Sequence, residues 1–246
     1  MNLINSQRSA RRASLKVCLE LCRVSNLPTI WTNVLAAIVL SATEWTILEY
    51  LLIAISMSCF YSGGISLNDI WDAPFDAIHN PGRPLPSGRI SKRAAWVVTI
   101  AIFGTGFIML SLTPNGIAIF GGIILLSAIL IYNKYHKKHW WSLIVMGACR
   151  FLVYLVSSLA IAGKISQSVL IAGSAQFLYV LLLSVTSRIE HLAKRQRSIF
   201  LVPAMIAGIP LVDGFTMATL ASPIWFLAGF VGAMLTFAGQ CFVRGD

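Results

Sequence analysis

Eight apolar stretches, each long enough to cross a bilayer, recur along the chain with only short polar connections between them. In a helix, about 20 apolar residues cover the roughly 30 Å hydrocarbon core of a membrane. On that measure the spans lie near 25–43, 47–67, 94–113, 116–132, 143–163, 166–187, 199–219 and 223–242. The third and fourth meet at a tight turn, Thr113-Pro114-Asn115-Gly116,. Of the 246 residues 57% are hydrophobic and 11% charged, whereas soluble domains carry roughly 25% charged residues. A water-soluble core cannot hide that much apolar surface. The expected fold class is all-α, a polytopic transmembrane helical bundle of about eight spans forming a single integral-membrane domain over 1–246,.

A formal charge of +10 would suit a nucleic-acid partner in a soluble protein. Here the placement of the basic residues explains it better, and no nucleic acid is expected. Seventeen of the 19 Lys and Arg fall in alternate connections: the segment before the first span, 68–93, 133–142, 188–198 and the C-terminal tail. The intervening turns hold only Lys164, and Arg150 lies inside the fifth span. By the positive-inside rule both termini and the 68–93 and 188–198 loops are cytoplasmic, in a multi-pass protein of the cell inner membrane. Residues 13–24 alternate apolar and basic positions at helical spacing, as in a helix lying on anionic lipid; a solvated basic tail is the alternative for 1–24,. Five cysteines, Cys18, Cys22, Cys59, Cys149 and Cys241, form no CxxC pair and read as small packing residues,.

Against this background one window stands out. Three of the five aspartates fall within Asn68-Asp69-Ile70-Trp71-Asp72-Ala73-Pro74-Phe75-Asp76. On a continuous helix Asp69, Asp72 and Asp76 lie within about 60° of each other. Pro74 fits the first turn of a helix with Asp72 as its N-cap, so the carboxylates alternatively span a helix end. Three hard oxygen ligands at the membrane edge point to a divalent cation, and Mg²⁺ commonly shares its coordination with substrate phosphates.

The next residues, His79-Asn80-Pro81-Gly82-Arg83-Pro84-Leu85-Pro86-Ser87-Gly88-Arg89, form a stiff loop presenting two arginines,. Arginine is a bidentate phosphate partner. Arg83 and Arg89 beside three carboxylates therefore read as a diphosphate site with Mg²⁺.

Asn68 to Asp76 matches the NDxxDxxxD motif of the UbiA superfamily of membrane prenyltransferases. Asn80 to Ile90 resembles the RPxRPxPSGRI that follows it there, and Arg23 to Asn33 (RVSNLPTIWTN) resembles the family's entry into its first helix. The resemblance implies a helical bundle around a membrane-embedded cavity. It implies transfer of a prenyl group from an isoprenyl diphosphate to a lipophilic, often aromatic, acceptor, with Mg²⁺ and diphosphate held by Asp69, Asp72 and Asp76 as catalytic residues. Asn68, Arg83 and Arg89 become substrate-binding residues with them. Tyr132 and Lys137, in Tyr132-Asn133-Lys134-Tyr135-His136-Lys137, fit the family's Tyr- and Lys-bearing loop. Arg150 lies about two turns inside the fifth span; it either faces the substrate pocket or pairs structurally with Asp213 or Glu190,.

Two departures qualify the resemblance. The family's second aspartate-rich motif is replaced by Ser187-Arg188-Ile189-Glu190-His191, so Glu190 is the only carboxylate available there. It is expected either to bind a second metal or to orient Arg188 toward substrate. The family usually has nine helices, and eight are legible here. The alternative function is a non-catalytic membrane protein that binds prenyl diphosphate.

Overall fold

The computed structural model describes residues 23–41, 44–137, 139–192 and 201–242. The expected interfacial segment, as far as residue 22, and residues 193–198 of the second cytoplasmic loop lie outside these. Among the described residues the chain forms eight α-helices: α1 Leu27–Leu40, α2 Ile47–His79, α3 Lys92–Ser111, α4 Ala118–Tyr135, α5 Ser142–Ala162, α6 Gln167–Leu192, α7 Leu201–Leu220 and α8 Phe226–Phe242. Each coincides with one expected span. Seven are long and apolar enough to cross a membrane, α8 being counted with its leading turn, and the stretch Val24–Leu40 containing α1 is shorter.

α1 is the axis of the bundle and packs against α2, α5, α6, α7 and α8. It buries most of its circumference, among others Ile30, Asn33, Val34, Ala37 and Ile38. The outer helices follow one another around it, each against its neighbour from α2 to α8. Between α2 and α8 an apolar groove of about 350 Å³ leaves Trp31 and Leu35 of α1 accessible beside Tyr50, Leu227 and Val231. Large side chains such as Phe120, Phe215 and Phe237 point outward, as a lipid-facing surface requires.

Helix pairs approach closely at small residues, because lipid offers no hydrophobic drive for association and backbone proximity supplies dispersion instead. Ser56 Oγ donates to the Gly106 carbonyl at 2.8 Å, pinning α2 to α3. A methyl group on Gly214 of α7 would stand 2.8 Å from the Gly229 Cα of α8, so nothing larger than glycine fits this crossing without movement.

α2 departs from expectation. The sequence suggests a loop over 68–93, with Asp72 capping a new helix as one option. Instead α2 runs unbroken for 33 residues through Pro74 to His79, and the loop shrinks to 80–91. At about 1.5 Å per residue it is roughly 50 Å long, well beyond the hydrocarbon core. Its last three turns project past the apolar stretch. The proline lacks one backbone donor, a loss the fold also accepts within the apolar helix α7, which contains Pro210,. A capping box starts the helix, with the Thr46 amide donating to Glu49 Oε2 at 2.7 Å and the Glu49 amide to Thr46 Oγ1 at 3.3 Å. Asn80 stops it, its amide donating to the Asp76 carbonyl at 2.8 Å. Similarly, Asn133–Tyr135 belong to α4 and Arg188–Leu192 to α6 rather than to loops.

Candidate active site

Because α2 stays helical through Pro74, Asp69, Asp72 and Asp76 share one inward face, and all three are buried. Buried carboxylates require cationic or hydrogen-bonding partners. The structure supplies them from two directions and so divides the cluster.

On one side stands Arg83. A turn closed by its amide and the Asn80 carbonyl (3.1 Å) folds it back over α2. Its Nη1 lies 2.7 Å from Asp76 Oδ2 and 3.3 Å from Asp69 Oδ1. Asn80 Nδ2 donates to the other Asp76 oxygen at 3.1 Å. Arg89 braces the same loop, with Nη2 donating to the Gly82 carbonyl at 2.7 Å and Nε to Ser87 Oγ at 3.1 Å. Gly88 allows the loop to turn with a φ of 73°, a value costly for other residues.

On the other side stands the end of α4. Lys137 Nζ lies 2.8 Å from Asp72 Oδ1, and His136 Nε2 lies 3.1 Å from Asp72 Oδ2. The Lys137 ammonium also sits 3.8 Å from the Phe75 ring centroid. Asn68 Nδ2 is 3.3 Å from His136 Nε2. The Tyr132 ring, one turn earlier on α4, is 5.5 Å from the His136 ring. A cavity of about 460 Å³ opens here, lined by Trp71, Asp72, Asn133, Lys134, His136 and Lys137.

Asn68, Asp69, Asp72, Asp76, Arg83, Tyr132 and Lys137 thus lie near one another at the end of α2 and α4. Arg188 and Glu190 are placed differently. Arg188 Nη1 donates to the His139 carbonyl at 3.1 Å, and its guanidinium covers the Trp140 ring at 4.7 Å. Glu190 does not orient it: Glu190 Oε2 is buried without a hydrogen-bond partner among the described residues. No three His, Cys, Asp or Glu side chains are gathered among the described residues so as to hold one metal ion. The physical reason is visible in the partners, since Asp72 is drawn toward α4 and away from the pair that shares Arg83.

Arg150 joins a separate network deeper in the bundle. Its Nη1 donates to Asn33 Oδ1 at 2.7 Å and its Nη2 to Thr29 Oγ1 at 3.0 Å. Asn33 Nδ2 in turn donates to both Asp213 oxygens, at 2.8 and 3.0 Å, and the Tyr154 hydroxyl also donates to Asp213. The pairing with Asp213 is therefore made through Asn33. The Tyr61 ring lies 5.5 Å from the Arg150 guanidinium carbon.

Sequence reasoning passed over His136 as a partner of Asp72, and over Asn80, Asn33 and Tyr154. Only their placement on facing helices reveals them. Arg23 is also close enough for its charge to act on Asp69, and it holds a left-handed backbone, φ 42°, just before α1.

The donor set fits Mg²⁺. One guanidinium nitrogen already sits between oxygens of Asp69 and Asp76, so the position accepts positive charge. Two carboxylates leave most of an octahedral shell for water and phosphate oxygens, as Mg²⁺ prefers.

The profile of the UbiA prenyltransferase family matches residues 27–245. A digeranylgeranylglyceryl phosphate synthase of Sulfurisphaera tokodaii is 35% identical over 127 residues, covering 51% of this chain and 45% of the relative. A 2-acylphloroglucinol 4-prenyltransferase of Humulus lupulus is 43% identical over 65 residues, covering 26% of this chain and 15% of the relative. The chain spans about half the length of the digeranylgeranylglyceryl phosphate synthases it matches over 127 and 151 residues. Among solved structures, a digeranylgeranylglyceryl phosphate synthase superposes with a TM-score of 0.64 at 21% identity, covering 93% of this chain and 87% of that one. A UbiA homolog from Archaeoglobus fulgidus bound to DMAPP and Mg²⁺ superposes with a TM-score of 0.61 at 13% identity, covering 92% and 99%.

Proposed function

The chain belongs to the UbiA prenyltransferase family, and from that premise we propose that it transfers a prenyl group from an isoprenyl diphosphate to a lipophilic acceptor in a Mg²⁺-dependent reaction. The observation that carries this is the placement of three buried carboxylates between two cations, Arg83 and Lys137, at the projecting end of α2. The Mg²⁺ and DMAPP bound by a structural neighbour support it, as do the names of the relatives.

In the transfer, the bond between the allylic carbon and the diphosphate oxygen breaks and its electron pair leaves with the diphosphate. The carbon then bonds to the acceptor's nucleophilic atom, which gives up its proton. Mg²⁺ supplies Lewis-acid stabilisation of the departing diphosphate. Asp69, Asp76 and Asp72 are the residues to hold the ion. Arg83 and Lys137 flank the carboxylates from two sides and suit the diphosphate oxygens, where preorganised charge acts most strongly,. Asn68, Arg89, Tyr132, Arg150 and Arg188 complete the proposed substrate-binding set. Glu190, with an unpartnered oxygen, is the candidate ligand for a second ion.

A reconstituted sample given geranylgeranyl diphosphate, a panel of lipid alcohols and aromatic acceptors, and Mg²⁺ is expected to form prenylated product, and none with excess EDTA. The single carboxylate in the Arg188–Glu190 region favours a second reading, a non-catalytic binder. Retention of the diphosphate without product across the whole panel would establish that reading instead.

The positive-inside pattern supports cytoplasmic termini and a cytoplasmic site in the inner membrane,. A reporter fused after Asp246 is expected to be active on the cytoplasmic side, and a periplasmic signal would reverse the whole topology.

A further inference from the structure

Asp76 is the most enclosed of the three motif carboxylates, 2% exposed, and both of its oxygens are held. Oδ2 faces Arg83, a full positive charge, at 2.7 Å. Oδ1 accepts from Asn80 Nδ2, a neutral amide, at 3.1 Å. Asn80 lies four residues beyond Asp76, the spacing at which side chains on a helix meet. Its backbone is fixed as well: its amide donates to the Asp76 carbonyl at 2.8 Å, and its carbonyl accepts from the Arg83 amide at 3.1 Å. One residue therefore touches both members of the Arg83–Asp76 pair. The sequence is distinctive at this point. The pattern RPxRPxPSGRI, set against Asn80 to Ile90, begins with arginine, and this chain has Asn80 there. An arginine at 80 would set a second guanidinium on a carboxylate that already carries one. Both would then compete with a divalent ion for the same oxygens.

We propose that Asn80 is a positioning residue for the metal ion: it orients Asp76 through a neutral hydrogen bond and leaves the negative charge of that carboxylate to Mg²⁺. The proposal rests on the Mg²⁺-dependent function above and specifies how the α2 cluster holds an ion with few carboxylates. Residues 187–191 supply only Glu190, and Asp72 is engaged by Lys137 and His136. Asp69 and Asp76 remain, sharing one guanidinium. A ligating carboxylate already held by a hydrogen bond binds an ion more tightly, because it need not be ordered when the ion arrives. A neutral donor supplies that order and cancels no charge. A cationic donor supplies the same order and opposes the ion.

The test uses the full chain in detergent, Mn²⁺ as the probe for the ion, and geranylgeranyl diphosphate as donor. Asn80 is exposed and its φ of −138° suits any residue. Asn80→Ala and Asn80→Arg are therefore expected to fold with the wild-type unfolding midpoint. Electron paramagnetic resonance of Mn²⁺, with neither donor nor acceptor present, should show its Kd raised about tenfold in Asn80→Ala, the low end of the effect of removing a partner from a metal ligand. Asn80→Arg should raise it at least as far. The donor should separate the two variants. At saturating Mg²⁺ the KM for geranylgeranyl diphosphate should fall in Asn80→Arg, because an added guanidinium suits the diphosphate, and stay unchanged in Asn80→Ala. A residue that merely ends α2 produces no such split between ion and donor. Wild-type Mn²⁺ affinity in either variant, or a donor KM that does not fall in Asn80→Arg, would overturn the proposal and leave the prenyltransferase function standing. That function fails separately, on the absence of product from the wild type with every acceptor.

Discussion

Asp69→Ala is expected to lower Mg²⁺-dependent prenyl transfer by roughly a hundred- to a thousandfold, the range seen when one preorganised electrostatic contact to a developing charge is lost. Asp72→Ala is expected to do the same by a different route. Losing Asp69 leaves Arg83 on Asp76, 2.7 Å away, so the ion loses a ligand and the guanidinium stays held. Losing Asp72 removes the carboxylate partner of both Lys137 and His136, and the end of α4 keeps only its weaker ties to α2, such as Asn68 on His136 at 3.3 Å. Neither change touches the apolar stretch before residue 68, so membrane insertion and the amount of monodisperse protein should match wild type. Rates measured in proteoliposomes against added Mg²⁺ decide the matter. Wild-type turnover by both variants would remove these carboxylates from the chemistry.

Asp213→Ala is expected to cost about 3 kcal/mol of stability, the low end of the penalty for leaving a buried charge uncompensated, because Asp213 answers Arg150 through Asn33 rather than directly,. Interhelical hydrogen bonds in membranes average only about 0.6 kcal/mol each. Loss of the two bonds from Asn33 and the one from Tyr154 alone would therefore account for about 2 kcal/mol on that scale,. The larger figure comes from leaving the Arg150 guanidinium, reached through Asn33 at 2.7 Å, with no negative charge in a low-dielectric interior. The network ties α1 to α5 and α7, so its loss should appear as a lower midpoint of thermal unfolding in detergent. The double variant Arg150→Met with Asp213→Leu should recover most of the loss, because removing both charges removes the stranded one. A midpoint for Asp213→Ala equal to wild type would show that the charge is not what holds these helices together.

How far each of these features was legible in the sequence follows from what imposes it. The hydrocarbon core dictates the length and composition of a span whatever its neighbours are. All eight helices could therefore be read from apolar runs, and the short α1 was as visible as the rest. The three aspartates were legible because so few acids occur elsewhere. Their chemistry was legible because Arg83 and Arg89 follow directly in the chain.

The course of α2 was not legible. Pro74 is a local signal for a break, and the local signal was overruled. The carboxylates on its inner face are held by partners from elsewhere in the chain, which keep the helix together across the one backbone donor that proline lacks,. The pairing of those carboxylates was equally hidden. His136 and Asp72 are 64 residues apart, and Asn33 and Asp213 are 180 apart. No periodicity records which of several cations a carboxylate will meet.

The sequence by itself determined a multi-span helical bundle with a metal- and diphosphate-type motif at one end, because bilayer thickness and residue type act span by span. Only the tertiary structure decided that Arg83 takes Asp69 and Asp76 while Lys137 and His136 take Asp72, and that Arg150 answers to Asp213 through Asn33. Buried charge must be matched at contact distance, and contact distance is set by the packing of helices remote in the chain.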